Sequence, residues 1–440
     1  MIDRASPDDL MSLASEHGGA PVQVGAVVVL DTSWGFDAAT LAHQINARSR
    51  RIPRLTQRLV TVPWGCGRPV WSASAVESGQ DQVETARCPE PGGDAGLLAL
   101  AAELVVRPLP RQRPLWRAVV VTDVEVDRAA VVLVLHHVLA DGVGGLAILS
   151  GLTDPAWSDQ VEAPLRERPR AFPSVGQLVA DALRDRLVRL RRLPASVRRL
   201  LDAVRIIRPL GGTHATPSSL NQVTGRHRRF AVVEVDLGSL AHAAHAHAAT
   251  INDLLLLAVA TALHDLLAAR GEEMDEIVLS MPVSERRQTV STQLGNHSGV
   301  VAITVATLGE PGRRLRDVST ATRAAKSAPA GASTALLAPL FRALAAVGLL
   351  RWYAMRQHRI HTFVSNLRGP ESTLTLAGFP ITRIVPLSLD AGNVTVSFTA
   401  LSYTGRLVVS ISADRDTCPD LSLLADLLRK HLSTCASQAA

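Results

Sequence analysis

Two adjacent histidines, His136 and His137, follow the apolar run of residues 129–135, and Asp141 and Gly142 follow after a three-residue spacer. Imidazole titrates near neutral pH, so a histidine at the end of a buried strand is well placed to take a proton from an alcohol or an amine. Asp141 could orient the imidazole, or it could hold the loop in shape through an ion pair. Gly142 would permit a backbone angle that other residues avoid at a strand-to-helix corner. The segment therefore predicts a general base in the turn after a buried strand.

A metal site is a weaker interpretation of the two histidines. Adjacent residues on a strand point to opposite faces, so His136 and His137 do not easily share one ion. The four cysteines are widely scattered and form no Cys-x-x-Cys pair, so we expect neither a zinc site nor a disulfide framework. The sequence also has no Gly-x-Ser-x-Gly nucleophile elbow and no Gly-x-x-x-x-Gly-Lys phosphate loop. Direct transfer with a histidine base is therefore favoured over a covalent mechanism.

The elements around this motif alternate between strands and helices in both halves of the chain. Strands are expected over residues 22–30, 57–63, 67–72, 117–122 and 129–137, and helices over residues 37–52, 96–106 and from 143 onward. A second alternation begins at Phe230, and residues 250–263 are strongly helical after a polar head. This order predicts an α/β protein with mixed sheets flanked by helices.

Length and composition predict a globular protein of two domains. The chain has 440 residues, of which 47% are hydrophobic and 20% are charged. We expect a first domain over residues 1–153, a proline- and arginine-rich crossover over 154–225 and a second domain over 226–440. Only 3% of the residues are aromatic, so stacking platforms for single-stranded nucleic acid, and a nucleic-acid partner, are not expected.

The formal charge is +6, and nearly all the positive charge is arginine. The excess suits acidic partners such as phosphorylated cofactors or anionic lipid surfaces, and it fits compositional drift in a GC-rich genome equally well. In the crossover, residues 178–192 and 197–208 alternate apolar residues with arginines at helical spacing. That pattern is typical of a basic helix on an anionic membrane or a lipid droplet, and equally of a helix packed on a domain with a solvated charged face. The polar N-terminus argues against a signal peptide, and the longest apolar run, residues 335–350, contains Pro339 and Arg342. We expect a cytoplasmic protein, peripheral at most on the inner face of the cell membrane.

The string His-His-x-x-x-Asp-Gly of residues 136–142 resembles the signature of CoA-dependent acyltransferases of the chloramphenicol-acetyltransferase-like superfamily, which includes peptide-synthetase condensation domains. Other strings narrow the resemblance to the bacterial wax ester synthase/diacylglycerol acyltransferase family. They are residues 6–25, Pro114-Leu115-Trp116, Asn252-Asp253, Pro282-Val283-Ser284-x-Arg286, Gly295-Asn296, Ser365-Asn366 with Gly369-Pro370, residues 401–407 and residues 414–420. One position departs from the family pattern, because Arg368 stands where the family usually has proline.

The resemblance implies two chloramphenicol-acetyltransferase-like domains that face each other across an active-site tunnel, with His137 near its middle. Acyl-CoA, as a co-substrate rather than a permanently bound cofactor, would enter one mouth, and a hydroxyl-bearing acceptor would enter the other. The activity implied is transfer of a fatty acyl group from acyl-CoA to a long-chain alcohol or to diacylglycerol.

The resemblance also implies roles for single residues. His137 would take the proton from the acceptor hydroxyl. Backbone amides near Gly142, or the amide of Asn252, would stabilise the negative charge that develops on the carbonyl oxygen. Asn252 could instead brace the histidine loop, and by pattern alone Asn252 and Asp253 would be helix caps.

The remaining motif residues are given supporting roles. Asp141 would pair with an arginine, for which Arg286 is one candidate, and His136 would be structural. The residues expected near the substrate are Asp253, Ser284, Arg286, Ser365 and Asn366. Pro114, Leu115 and Trp116 are interpreted as a structural motif that packs a tryptophan into the core.

Three alternative functions share these observations. The acceptor could be a hydroxyl or an amine of a specialised metabolite, such as a polyketide or a sterol. The protein could be condensation-like and use carrier-bound thioesters. It could also be an inactive homologue that only binds acyl-CoA or a membrane, against which the intact His137, Asp141 and Asn252 argue.

Overall fold

A computed structural model gives the structure of the chain. It describes residues 2–6, 9–10, 12–13, 22–73, 82–154, 172–188, 191, 214–284, 298–327, 344, 347–389 and 392–437. The described residues form two lobes, each built on a six-stranded mixed sheet flanked by helices. This architecture confirms the predicted α/β class.

The first sheet has the strand order β11-β12-β1-β6-β5-β4. Its strands are β1 (Gln23–Asp31), β4 (Val83–Arg87), β5 (Trp116–Glu125), β6 (Arg128–His136), β11 (Thr375–Leu376) and β12 (Phe379–Ser388). A separate hairpin consists of β2 (Gln57–Val60) and β3 (Val70–Ala73). Every residue of β6 after its first is buried, which explains its continuous apolar sequence: both faces of this central strand are covered.

In the described part of the chain, the helices that cover the first sheet include α1 (Ala38–Ser49), α2 (Gly93–Val106) and α3 (Gly142–Leu152). Helices α1 and α3 pack against each other and against the strands, with Ile45 and Leu149 close to Val131. Helix α2 packs on β1, β5 and β6 and also touches the second sheet, so it lies between the lobes.

Helix α4, residues 175–188, belongs to the predicted crossover. It begins with a capping box, because the Ser174 backbone N–H donates to Gln177 Oε1 at 2.9 Å and the Gln177 N–H donates to Ser174 Oγ at 3.4 Å. The second predicted basic helix, residues 197–208, lies outside the described residues, as does nearly all of the remaining crossover.

The second sheet has the strand order β7-β14-β13-β10-β8-β9. Its strands are β7 (Arg228–Asp236), β8 (Glu276–Ser284), β9 (Ser298–Ala306), β10 (Thr362–Arg368), β13 (Val396–Tyr403) and β14 (Arg406–Asp414). Its helices are α5 (Leu237–Ala246), α6 (Ile251–Ala269), α7 (Pro311–Ser327), α8 (Leu350–Ala354) and α9 (Leu421–Ser437). Among the described residues, only α6 is long and apolar enough to cross a membrane, and 67% of its apolar window is buried inside the lobe. It is the central core helix of this lobe.

The chain returns to the first lobe late in the sequence. Strand β12 pairs antiparallel with β1, from Val24 opposite Ser388 to Leu30 opposite Ile381. Residues 375–388 therefore complete the first sheet, whereas the predicted boundary at residue 226 assigns them to the second lobe. Without β12, the apolar strand β1 would expose an unpaired edge.

Candidate active site

Backbone hydrogen bonds fix the turn that carries the two histidines. The His136 N–H donates to the Leu115 carbonyl at 2.9 Å, and the His137 N–H donates to the Val22 carbonyl at 3.0 Å. The Leu139 N–H closes the turn on the His136 carbonyl at 2.8 Å. The end of β6 is thus held by segments on both of its sides.

The side chains of the two histidines have different surroundings. His136 is 3% exposed, and its Nδ1 accepts a hydrogen bond from the Val138 N–H at 3.0 Å. The ring proton of neutral His136 is therefore on Nε2, and the ring is held by its own turn. His137 follows β6 directly and is only half-buried. The geometry supports a structural role for His136, and His137 is the more exposed of the two histidines.

Asp141 is the N-cap of helix α3. Its Oδ1 accepts from the Gly144 N–H at 2.8 Å, its backbone is extended, and the side chain is buried. The unshared N–H groups of a helix's first turn carry a partial positive charge, and here they begin five residues after His137. Arg286, the candidate partner of Asp141, lies outside the described residues, as do Gly295 and Asn296.

Gly142 begins α3, and the structure corrects the reason expected for this glycine. Its φ is not positive, so the prediction that it permits an unusual backbone angle is wrong. Space is the constraint instead: a Cβ at position 142 would lie 3.1 Å from both Cδ atoms of Leu367 on β10. The start of α3 therefore touches the second lobe close to His137.

The second sheet splits beside this contact. Among the described residues, strands β8 and β10 pair at Leu279 with Thr362 and at Ser280 with Phe363. Beyond these residues β10 continues along β13, while β8 continues along β9 to Ser284. In the part of the chain that the structure describes, no strand pairs with the backbone of residues 364–368 on its β8 side.

Ser365 and Asn366 lie on β10 in this split. Side chains alternate along a strand, so Ser365 shares a side with Leu367, which faces the first lobe. Asn366 shares the opposite side with Val364, which belongs to the core of the second lobe. Both Ser365 and Asn366 are half-buried.

Asn252 lies at the other side of the split, in the first turn of α6. Its Nδ2 donates to the sulfur of Met281 at 3.1 Å, and Met281 is the first residue of β8 beyond the paired part. The start of α6 and the end of β8 thus meet where the two strands separate. Ser284 ends β8.

Asp253 is a helix cap. Its backbone N–H donates to Thr250 Oγ1 at 3.2 Å, and its Oδ2 accepts from the Thr250 N–H at 2.8 Å. Its Oδ1 accepts from the Thr322 hydroxyl at 2.6 Å, and the residue is 1% exposed. Both carboxylate oxygens are engaged in holding α6, which fits a cap better than a substrate contact.

The Pro114-Leu115-Trp116 string supports the histidine strand. Trp116 is buried, and its Nε1–H donates to the Leu55 carbonyl at 2.9 Å. Leu115 is buried too, and its carbonyl holds the His136 N–H. The motif therefore has a defined structural role: it anchors the end of β6.

Sequence reasoning missed two residues near the site, Met281 and Leu367. Each lies directly beside a motif residue, Pro282 or Asn366. Their contacts with Asn252 and Gly142 join distant parts of the chain, and no local pattern indicates them. Among the described residues, no group of three or more His, Cys, Asp or Glu side chains could hold a metal ion.

Known proteins resemble the chain over nearly its whole length. One protein of Mycobacterium tuberculosis strain H37Rv named as a diacylglycerol O-acyltransferase is 29% identical over 436 residues, covering 92% of this chain and 91% of its own. Another is 28% identical over 423 residues, covering 91% and 88%.

Solved structures share the fold. The wax ester synthase/diacylglycerol acyltransferase from Marinobacter aquaeolei VT8 superimposes with a TM-score of 0.72 at 22% identity and covers 99% of both chains. The first condensation domain of the calcium-dependent antibiotic synthetase, in complex with a substrate analogue, gives a TM-score of 0.68 at 16% identity, covering 100% of this chain and 97% of its own.

Two family models match the sequence itself. The wax ester synthase/diacylglycerol acyltransferase catalytic domain matches residues 5–255, and the C-terminal domain of the same family matches residues 294–435. The resemblance inferred from the motifs is thereby confirmed: the chain belongs to the wax ester synthase/diacylglycerol acyltransferase family.

Proposed function

We propose that this acyltransferase moves a fatty acyl group from acyl-CoA to the hydroxyl of a long-chain alcohol or diacylglycerol, with His137 as the general base. One observation carries the proposal. His137 is the half-buried histidine of a rigid turn, next to the start of α3 and to the contact between the lobes. His136, by contrast, is buried and hydrogen-bonded within the turn.

In the proposed reaction the His137 imidazole takes the hydroxyl proton while the oxygen attacks the thioester carbonyl. A carbon–oxygen bond forms, and the tetrahedral intermediate then expels the CoA thiolate by breaking the carbon–sulfur bond. The imidazolium returns the proton to the thiolate, so the histidine ends as it began. Base catalysis of this kind contributes about a hundred- to ten-thousand-fold to the rate.

The negative charge of the intermediate needs donors that are already in place. The first turn of α3 offers the backbone N–H groups of Gly142 and Val143, because the N–H of Gly144 is taken by Asp141. The amide of Asn252 is a second candidate, and its contact with Met281 holds it at the split.

The split between β8 and β10 supports a route for one substrate. It separates the two strands near the point where Leu367 meets Gly142, and Asn252 lies across it. A substrate passing through this gap would meet the backbone of residues 364–368 on its way toward His137. We propose that the interdomain tunnel includes this gap.

A purified preparation of the full chain tests the activity. Palmitoyl-CoA is supplied with hexadecanol, with diacylglycerol or with no acceptor, while free thiol and ester product are followed. We expect thiol release that depends on the acceptor. If a specialised metabolite is the better acceptor, or a carrier-bound thioester the better donor, the proposed substrates are wrong. If the protein only hydrolyses acyl-CoA, without regard to the acceptor, the proposed transfer is wrong.

The base is tested by His137→Ala, which should lower turnover by at least about a hundred-fold while the fold is retained. The matched control is His43→Ala, since His43 is exposed on α1 and should be dispensable. Turnover by His137→Ala at the wild-type rate would refute the assignment.

The proposed substrates are poorly soluble in water, so the proposal includes a cytoplasmic enzyme that works peripherally on the inner membrane face or on a lipid droplet. The arginine-rich crossover supports this location by its charge.

A further inference from the structure

Helix α4 is attached to the first lobe along one face. Leu178 is 1% exposed and packs with Cys66 and Val70 of the β2–β3 hairpin. Gly67 in the hairpin loop is so close that a Cβ there would lie 3.1 Å from the Cβ of Ala182. The helix therefore has a defined inner side, and the rest of its surface has a fixed orientation.

Both acidic side chains of α4 are used on that inner side. Asp181 pairs with the buried Arg4 at 2.7 Å, and Asp185 pairs with Arg68 at 3.3 Å. The arginines Arg184 and Arg186 are exposed, and neither makes an ion pair within the described residues. The outward surface of the helix is consequently positive.

An apolar row runs along the exposed side of α4. Val175, Val179, Leu183 and Leu187 are spaced by four residues, which places them one above the other on the helix. Their exposed fractions are 58%, 38%, 51% and 56%. A contiguous apolar row of this kind on an outer surface marks an interaction site more often than isolated exposed residues do.

The hairpin loop carries an exposed tryptophan near α4. Trp64 is fully exposed, and it lies three residues before Gly67, which touches Ala182 of α4. Tryptophan combines a large apolar ring with one N–H donor, so it is enriched where one side of a surface is apolar and the other is wet.

We propose that this surface, the apolar row of α4 with Trp64, Arg184 and Arg186, docks the enzyme on an anionic lipid layer. The apolar row and the indole would enter the boundary between headgroups and acyl chains, and the arginines would pair with anionic headgroups. A second copy of the chain is a poorer occupant, because it would bring arginines against arginines. The docking surface deepens the proposed function by naming where the enzyme meets its insoluble acceptors.

Vesicle co-sedimentation of the full chain tests the proposal. We expect binding to phosphatidylcholine vesicles that contain phosphatidylglycerol, and much weaker binding to pure phosphatidylcholine or at high salt. Leu183→Asp and Leu187→Asp should each reduce the partition constant by about tenfold or more. Quenching by brominated lipid should fall in Trp64→Phe.

Matched controls come from the turns at the end of the first sheet opposite His136. Val126 is 88% exposed and Trp34 is 85% exposed, so Val126→Asp and Trp34→Phe change similar side chains away from α4. Both should bind vesicles as the wild type does. Circular dichroism and thermal melting check that the α4 variants are folded.

Any of three results would overturn the docking surface. The first is that both leucine variants bind vesicles as strongly as the wild type does, and the second is that binding does not depend on lipid charge or salt. The third is that the protein forms a dimer without lipid and that the same variants dissociate it. Turnover is measured separately, on a short-chain alcohol without vesicles, and the α4 variants should keep it. A chain that binds vesicles through α4 but transfers no acyl group would refute the proposed function and leave the docking surface intact.

Discussion

Gly142 at the start of α3 lies against Leu367 on β10, so the two lobes touch at the first turn after the histidine motif. A Cβ at position 142 would lie 3.1 Å from both Leu367 methyl groups, closer than ordinary van der Waals contact. The backbone at Gly142 accepts any residue, since its φ is not positive. The glycine therefore sets how closely the lobes approach at the candidate site.

The variant Gly142→Ala should fold normally and turn over more slowly. The extra methyl group pushes Leu367 by a few tenths of an ångström, and misplacement of that order disturbs the alignment of reacting groups. We expect kcat to fall by about three- to tenfold, measured by thiol release. The double variant Gly142→Ala/Leu367→Ala should recover part of the loss, because it removes the clash. Wild-type kinetics in both Gly142→Ala and Gly142→Val would mean that the contact has no part in the reaction.

Substitutions of the neighbouring residues Asn252 and Asp253 should have different effects: one should lower turnover and the other should lower stability. Asp253 caps α6 and is bonded to Thr322, so Asp253→Ala should lower stability by about 1–3 kcal/mol, seen as a lower thermal midpoint. Asn252 takes no part in the capping box, so Asn252→Ala should keep the midpoint and lower kcat by about a hundred-fold if its amide stabilises the intermediate. Met281→Leu is the control, because it removes the sulfur contact and keeps the amide. Normal kcat in Asn252→Ala would leave the backbone of α3 as the candidate donor.

A charged cluster joins the lobes at the end of the first sheet opposite His136. Arg383 on β12 bonds Asp94 of α2, and its Nη1 is 2.9 Å from Glu234 Oε1 on β7 of the second sheet. Arg128, the first residue of β6, also pairs with Asp94 at 3.2 Å. The hydrogen bond from Arg383 lowers the pKa of Asp94 below its ordinary value, although partial burial opposes it.

Arg383→Gln should destabilise the protein without a large effect on turnover. It leaves two carboxylates facing each other across the lobe boundary, and we expect a loss of about 1–3 kcal/mol in the free energy of unfolding. Arg87→Gln is the control: Arg87 and its partner Asp123 are both well exposed, and such pairs contribute little. Equal urea midpoints for the two variants would show that the cluster does not hold the lobes together.

The strongest sequence predictions concerned features that are local in the chain. Residues 129–135 form a strand because continuous burial requires a continuous apolar run, and the histidine turn follows directly. Strand β4 was missed because it lies at the sheet edge with mostly exposed residues and so carries little apolar pattern. The pairing of β12 with β1 and the contact of Gly142 with Leu367 join residues more than 200 positions apart. Such contacts depend on how the lobes pack against each other, and the spacing of apolar residues along the sequence does not indicate that packing.

His361 should make the stability of the second lobe sensitive to mild acid. Its side chain is completely buried, Nδ1 accepts from the Val278 N–H at 2.9 Å, and Nε2 donates to the Thr216 carbonyl at 2.9 Å. Burial lowers the pKa of His361 below its ordinary value of 6.5, because a charged ring there would lose water and the Val278 hydrogen bond. In the unfolded chain His361 keeps its ordinary pKa, so below pH 6.5 the unfolded state binds a proton that the folded state does not bind.

The contribution of His361 is therefore complete above its unfolded pKa and is lost as the pH falls toward its folded pKa. We expect the free energy of unfolding to drop by up to about 1.4 kcal/mol per pH unit as the pH falls below the unfolded pKa. Urea midpoints at about pH 7.5 and about pH 5.5 measure the drop. His361→Gln, which does not titrate, should flatten this dependence, whereas His43→Ala should keep it because His43 is exposed. A wild-type midpoint that does not change between the two pH values would show that His361 takes up its proton without disturbing the fold.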